Sequence, residues 1–211
     1  MEKLKGRLNR AMRENRKKDA VLMVQDALND TLGPIEFYED VLTPIMHGIE
    51  CDNDDHDCIW VEHQMTSIAR TLIEMSYPYV LKTDHPDKGK HALIVCPREE
   101  YHELGAVMGA NMLAYYGFKT TYVGANTPEE TLVSALETLD VDYLILSVSN
   151  TSHLFEVQSV LRTVTSRFKA LTVIGAGQGF IQHAALFQDQ ISHIIEDHAS
   201  IKALIEKEGL E

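Results

Sequence analysis

The chain has 211 residues, of which 45% are apolar and 24% charged, and its net charge is −13. This composition is typical of a folded water-soluble protein, and the sequence has no apolar run of 18 residues that would predict a membrane span. The length allows one large domain or two small ones. Three cysteines without a disulfide-rich pattern, and a basic N-terminus without an apolar signal core, predict a cytoplasmic protein with reduced thiols.

The charge is distributed unevenly along the chain. Residues 1–18 contain eight lysines and arginines against two glutamates, a net of +6, which leaves −19 for the rest of a chain whose total is −13. Because phosphate contacts supply most non-specific affinity for nucleic acids, such an acidic body predicts no direct nucleic-acid partner. The basic segment fits a solvated helix face and, as an alternative, a contact for an acidic partner.

Residues 1–81 are expected to form a four-helix bundle cap domain. Pro34 suits the first turn of a helix, and Pro44 should bend the stripe in which it lies. Apolar residues recur at helical spacing in three stripes: Val21, Val24 and Leu28; Ile35, Tyr38, Leu42, Ile45 and Ile49; and Val61, Met65, Ile68, Leu72 and Met75.

The most acidic run of the chain lies between the third and fourth predicted helices, from Cys51 to Cys58. Two thiols, an imidazole and several carboxylates could form a metal site, but the spacing matches no zinc pattern, and a solvated loop is the favoured interpretation. Trp60 follows this run, and we expect it to pack in the core.

Residues 82–90 are polar and predict a linker, and residues 91–211 alternate between β-rich and helical segments. This alternation predicts a flavodoxin-like (Rossmann-like) α/β domain with a five-stranded parallel sheet of order 2-1-3-4-5. The predicted strands are 91–96, 119–124, 143–149, 170–175 and 191–195. The predicted helices are 102–116, 128–139, 154–166, a short one near 180–187, and 198–208.

In this order the strand sequence reverses between the first and third strands, where open α/β sheets bind their ligands. The loop after the first strand carries Glu100 and His102, and Gly105 and Gly109 follow on one face of the next helix. Glu100 could accept a proton from one ring nitrogen and leave the other for a metal. A surface histidine followed by two packing glycines is the alternative interpretation of the same residues.

Three separated motifs resemble the signature of cobalamin-binding domains. The first is Glu100-x-His102-x-x-Gly105, the second is Ser147-x-Ser149, and the third is Gly175-Ala176. The block from Tyr122 to Pro128, which contains Gly124, also resembles the family's second strand and loop. Two positions depart from the family pattern: Ser149 replaces a Leu or Thr, and Ala176 replaces a second Gly.

The resemblance implies a role for each matching residue. His102 would be the lower axial ligand of cobalt in a base-off/His-on arrangement, and Glu100 would orient it. Gly105 and Gly109 would leave room for the displaced nucleotide tail, which Ser147 would bond. Gly175 would let the tail pass, and Gly177 would compensate for Ala176.

The helical cap resembles that of the light-sensing regulators of the CarH/LitR type. Glu62 and His63 are similar to the Glu-His pair that those regulators hold over the adenosyl side, although Asp52 stands where their capping Trp is expected. The upper ligand is left open between adenosyl-, methyl- and hydroxocobalamin. The basic segment of 18 residues is too short for the regulators' DNA-binding domain, so the expected output passes through a protein partner or a homo-oligomer.

The residues and the resemblance together predict a cobalamin-binding sensor. The first alternative is a corrinoid protein that carries methyl groups for a cobalamin-dependent methyltransferase system. The motif of such carriers is less similar to Glu100-x-His102-x-x-Gly105 than the motif of the light-sensing regulators is. The second alternative is a similar fold that holds a different tetrapyrrole through His102. No membrane partner is expected.

Overall fold

The computed structural model describes residues 1–49, 51 and 55–210. The chain divides into two compact units, Met1–Thr83 and Asp84–Glu211. The first unit is helical, and the second contains the sheet. Each unit has its own set of fully buried apolar side chains, so each has the core that an independent domain requires.

The helical unit is built from amphipathic helices whose buried faces follow the predicted stripes. Two helices precede Gly33, and a longer one, α5, ends the unit. The helices are α1 (Glu2–Arg13), α2 (Lys17–Asp30), α3 (Pro34–Glu36), α4 (Thr43–His47) and α5 (His56–Val80). A buried hydrogen bond of 2.6 Å between the hydroxyls of Tyr38 and Ser76 lies in the core.

The helix around Pro44 is irregular. A π-helical turn over Phe37–Leu42 immediately precedes α4, and the Thr43 amide donates to the Tyr38 carbonyl, five residues back. Proline has no amide proton, so the α-helical bond from position 44 cannot form and the helix widens. The turn joins α3 to α4 as one irregular helix.

Two expectations about the start of α5 and the residues just before it are wrong. Cys51 and Cys58 form a disulfide, so they are not both reduced thiols. Trp60 is 55% exposed and does not pack in the core. The helix spacing that predicted the α5 stripe places position 60 outside the buried face occupied by Met65, Ile68 and Leu72. Asp52 lies outside the described residues.

The sheet unit confirms the predicted fold. Its five strands, all parallel, lie in the order β2-β1-β3-β4-β5. The strands are β1 (His91–Pro97), β2 (Lys119–Thr127), β3 (Tyr143–Ser147), β4 (Thr172–Ala176) and β5 (His193–Ile195). The helices are α6 (Leu104–Tyr115), α7 (Glu129–Thr138), α8 (Leu154–Arg167), α9 (Gln178–Gln182) and α10 (His198–Lys207).

Helices cover both faces of the sheet, which explains why its central strands are apolar throughout. Leu93 and Leu144 belong to a core cluster that also contains residues of α7 and α8. Ile94 and Ile145 point to the opposite face, because successive side chains alternate along a strand. Helix α6 packs there on β1 and β2.

The segment between the last bundle helix and β1 is attached to the sheet unit. The Lys88 amide donates to the Gly117 carbonyl at 2.9 Å. The His85 ring lies 5.2 Å from the Tyr115 ring and 4.8 Å from the Tyr116 ring. A Cβ on Gly117 would lie 2.0 Å from the Pro86 carbonyl oxygen, so only glycine fits that position.

The described part of the chain contains no helix with both the length and the apolar character that a membrane span needs.

Candidate functional site

The predicted site lies at the carboxyl end of β1, beside the point where the strand order reverses. The loop after β1 carries Glu100 and His102 and leads into α6. The loop after β3 begins at Val148, and Asn126 stands near the end of β2. Hydrogen bonds join the loop after β1 to each of the other two segments.

Glu100 holds His102 in a fixed orientation. Its carboxylate is fully buried, whereas 65% of the His102 side chain is exposed. Oε1 of Glu100 lies 2.7 Å from Nδ1 of His102 and also accepts the His102 amide at 2.8 Å. A histidine that donates from Nδ1 carries its lone pair on Nε2, which makes that nitrogen the possible metal ligand.

The second carboxylate oxygen of Glu100 binds the loop after β3. Oε2 accepts the amide of Ser149 at 2.7 Å and that of Asn150 at 3.1 Å. Burial alone would raise the pKa of Glu100, but the hydrogen bonds from His102, Asn150 and Ser149 outweigh it and lower the pKa to about 2. Glu100 is therefore a buried anion at neutral pH.

The main chain of the loop is fastened to β2. The Asn126 amide donates to the Glu100 carbonyl at 2.9 Å, and the Glu99 amide donates to Oδ1 of Asn126 at 2.8 Å. Both Glu99 and Asn126 have positive φ, 65° and 51°. Such angles are uncommon outside glycine and persist where surrounding contacts impose them.

The glycines of α6 face open space. A Cβ built on Gly105 or Gly109 would meet nothing within 4 Å. Positions 105 and 109 share one side of the helix because they are four residues apart. Directly after His102, one side of α6 is therefore open at two positions that carry no side chain.

The glycines near β4 are required by the protein's own packing. A Cβ on Gly175 would lie 2.7 Å from the Phe180 ring, and one on Gly177 would lie 2.6 Å from the Val148 carbonyl oxygen. Gly177 also has φ of 85°. Their roles toward a cofactor stay predictions, and the structure supplies a separate reason for each glycine.

The remaining predicted residues are placed as follows. Gly124 has φ of 138° and lies at a register irregularity between β1 and β2, consistent with a β-bulge. Ser147 is buried at the end of β3, and the Ser149 amide is part of the Glu100 network. Glu62 is half-buried and His63 exposed on α5 of the helical unit.

The sequence reasoning missed Glu103 and the hydroxyl group of Tyr122 with which it pairs. Tyr122 on β2 donates to Oε2 of Glu103 at 2.5 Å. Strand alternation predicts that Tyr122 shares a sheet face with Ile94, its register partner. This shared face could have indicated the contact, but only if the register of β1 against β2 had been known.

The donor set suits a metal that takes one imidazole from the protein. Within residues 1–49, 51 and 55–210 there is no cluster of three or more His, Cys, Asp or Glu side chains that could enclose a metal ion. His102, backed by a buried carboxylate, is the chemistry expected where another molecule supplies the remaining ligands.

Two solved structures share the fold. The monomethylamine corrinoid protein of Methanosarcina barkeri aligns with a TM-score of 0.78 at 15% identity, over 98% of this chain and 99% of that one. The methanol:cobalamin methyltransferase complex MtaBC of Methanosarcina barkeri gives a TM-score of 0.52 at 14% identity, over 99% of this chain and 80% of that one.

A curated relative and a family profile match the sequence itself. The HTH-type transcriptional repressor CarH of Myxococcus xanthus is 25% identical over 182 residues, and these cover 82% of this chain but only 58% of the relative. The B12 binding domain profile matches residues 90–200, which is more than half of the chain. The chain therefore belongs to the B12-binding domain family, whose name implies a cobalamin or related corrinoid cofactor.

Proposed function

We propose that this protein binds cobalamin with Nε2 of His102 as the lower axial ligand of cobalt, and that it acts as a sensor that signals the state of the cofactor to a protein partner. One observation carries the ligation proposal. A fully buried carboxylate, Glu100, holds Nδ1 of an imidazole whose side chain is 65% exposed. A carboxylate that accepts a hydrogen bond from the other ring nitrogen of a ligand histidine orients the ring and increases its basicity.

The residues around His102 support the same proposal. The open side of α6 at Gly105 and Gly109 would leave room for the nucleotide tail of a cobalamin. Ser147, Ser149, Gly124, Gly175 and Gly177 stay proposed contacts of the cofactor on the grounds of the motif resemblance. Glu62 and His63 are proposed, on the same grounds, to act on the upper axial ligand.

The ligation proposal is tested with His102→Ala. Protein labelled with ¹⁵N-histidine is loaded with cobalamin and reduced to Co(II), and the electron paramagnetic resonance spectrum is recorded. We expect hyperfine splitting from a ¹⁵N axial ligand in the wild type and none in His102→Ala. His47→Ala is the matched control, because it removes another exposed imidazole, one with no proposed role toward the cofactor, and should leave the splitting intact. Wild-type spectra without ¹⁵N splitting would refute the ligation.

The sensor role is supported by the similarity to the repressor CarH over 82% of this chain. Because the chain spans 58% of that relative's length, the relative's own activity does not transfer directly. When bound, cobalamin would supply a cobalt–carbon bond that can be cleaved by light or can hold a transferable methyl group. The protein would report which state is present by exposing or covering a surface for a partner or a second copy.

A methyl carrier is the second candidate. The fold shared with the monomethylamine corrinoid protein, which extends over nearly all of both chains, favours it. The two candidates are separated by loading the protein in the dark with adenosylcobalamin or methylcobalamin. A sensor should change its oligomeric state on illumination or ligand exchange. Methyl transfer to a corrinoid-dependent methyltransferase, without a change of oligomeric state, would favour the carrier.

A further inference from the structure

A row of polar side chains crosses three strands beneath the loop that carries His102. Tyr122 on β2 donates its phenol proton to Oε2 of Glu103 at 2.5 Å. The Cys96 sulfur on β1 lies 3.8 Å from the same phenol oxygen, and the buried Ser147 on β3 interacts with Cys96. The row therefore ends on the residue next to His102.

The middle of this row keeps its protons at neutral pH. Burial raises the pKa of the Cys96 thiol to about 12. Burial, together with the hydrogen bond to Glu103, raises the pKa of Tyr122 above its usual value. The phenol is therefore a constant donor, and the Glu103 carboxylate is a suitable acceptor for a charge-assisted hydrogen bond.

Glu103 stands at the start of α6, where the irregular loop becomes helix. It occupies the N-cap position, and its side chain makes no capping hydrogen bond. On the other side of His102, Glu100 is held by the loop after β3. Along the chain, His102 thus lies between two glutamates. The loop after β3 holds Glu100, and β2 holds Glu103.

We propose that Tyr122 is a positioning residue: by holding Glu103 against β2, it fixes the start of α6 and so presents His102 to the cobalt. This inference rests on the proposed function. Restricting the loop before the metal arrives reduces the entropy that ligation must remove, and therefore favours the bound imidazole over the dissociated one.

The test measures how firmly His102 stays on the cobalt. Protein loaded with methylcobalamin is examined by visible absorption between about 5 and 45 °C, so that the ratio of His-on to His-off cofactor falls in a measurable range. We expect Tyr122→Phe to lower that ratio about tenfold, as loss of a charge-assisted hydrogen bond predicts. Glu103→Ala should act like Tyr122→Phe. Glu103→Gln retains a carbonyl acceptor for the phenol and should stay within about threefold of the wild type.

Tyr143→Phe is the matched control. Tyr143 is the first residue of β3 and so lies at the end of the sheet where the strands begin, opposite the end that carries His102. Its phenol donates to Oε2 of Glu208 at 3.0 Å. It therefore loses the same kind of bond from the same sheet. We expect a lower melting temperature from Tyr143→Phe but an unchanged His-on ratio, which separates positioning from general stability.

The outcomes distinguish this inference from the proposed function. If Tyr122→Phe keeps the wild-type ratio, or Tyr143→Phe lowers it equally, Tyr122 is not a positioning residue. If Tyr122→Phe does not fold, the contrast between Glu103→Ala and Glu103→Gln carries the same test, and equal ratios in those two variants overturn the inference. If wild type and His102→Ala give the same spectrum, it is the ligation proposal that fails.

Discussion

Glu100 connects the ligand histidine to the rest of the sheet edge. One carboxylate oxygen accepts from His102, and the other accepts from the Ser149 and Asn150 amides. A glutamine amide has a single acceptor oxygen. Its NH₂ group would therefore face either the donors of His102 or the amides of Ser149 and Asn150, and those bonds would be lost. The charge and the shape of the carboxylate are therefore both needed.

We predict that Glu100→Gln destabilises the cofactor-free protein by on the order of 3 kcal/mol at pH 7. The folded-state pKa of Glu100 is about 2, below its ordinary value of 4.5. Its contribution is therefore fully present above pH 4.5 and is lost as the pH falls toward 2. Urea unfolding at several pH values between 7 and 2 checks this, and the difference from the wild type should shrink as the pH falls through that window.

Glu99→Gln is the control for this measurement, because Glu99 is exposed and contributes its main-chain amide to the loop. We expect little change from it at any pH. A Glu100→Gln deficit that stayed constant down to pH 2 would mean that lost packing, and not the carboxylate charge, causes the destabilisation.

The glycines of α6 face open space, whereas those at the end of β4 are packed against other residues. Gly109 faces open space, so Gly109→Leu should leave the sheet unit folded and stabilise α6 by about 1 kcal/mol through helix propensity. The new side chain would occupy the open space beside α6, and we expect cobalamin affinity to fall at least tenfold. Quenching of the fluorescence of Trp60, the only tryptophan in the chain, measures that affinity.

Gly6→Leu is the matched control for Gly109→Leu. Gly6 lies in α1, and a Cβ there also meets nothing within 4 Å. It should give a similar gain in helix stability with unchanged affinity. Equal affinities for Gly109→Leu and the wild type would show that the cofactor does not lie along this side of α6.

The elements that the sequence predicts well are those with a regular period. The alternation of apolar strands and amphipathic helices predicted the sheet order, and the two-residue spacing of Glu100 and His102 suggested their contact. Contacts that depend on tertiary geometry were missed. The Tyr122–Glu103 bond depends on the register of β2 against β1, and the exposure of Trp60 depends on which side of α5 the bundle covers.

The complete molecule combines two units with separate cores, Met1–Thr83 and Asp84–Glu211. All residues of the Glu100 network belong to the second unit. The segment from His85 to Lys88, part of the predicted linker, is fastened to that unit at Tyr115, Tyr116 and Gly117. The smallest part that retains the ligand geometry should therefore begin before His85.

We predict that a fragment of residues 84–211 folds alone and binds cobalamin through His102. A fragment of residues 91–211 should melt several degrees lower, because it loses the Lys88–Gly117 bond and the packing of His85 on two tyrosine rings. Circular dichroism melts and the visible spectrum of the loaded fragments check both statements. Equal melting temperatures would show that residues 84–90 contribute nothing to the sheet unit. Loss of the His-on spectrum from a folded 84–211 fragment would show that the helical unit is needed to keep His102 on the cobalt.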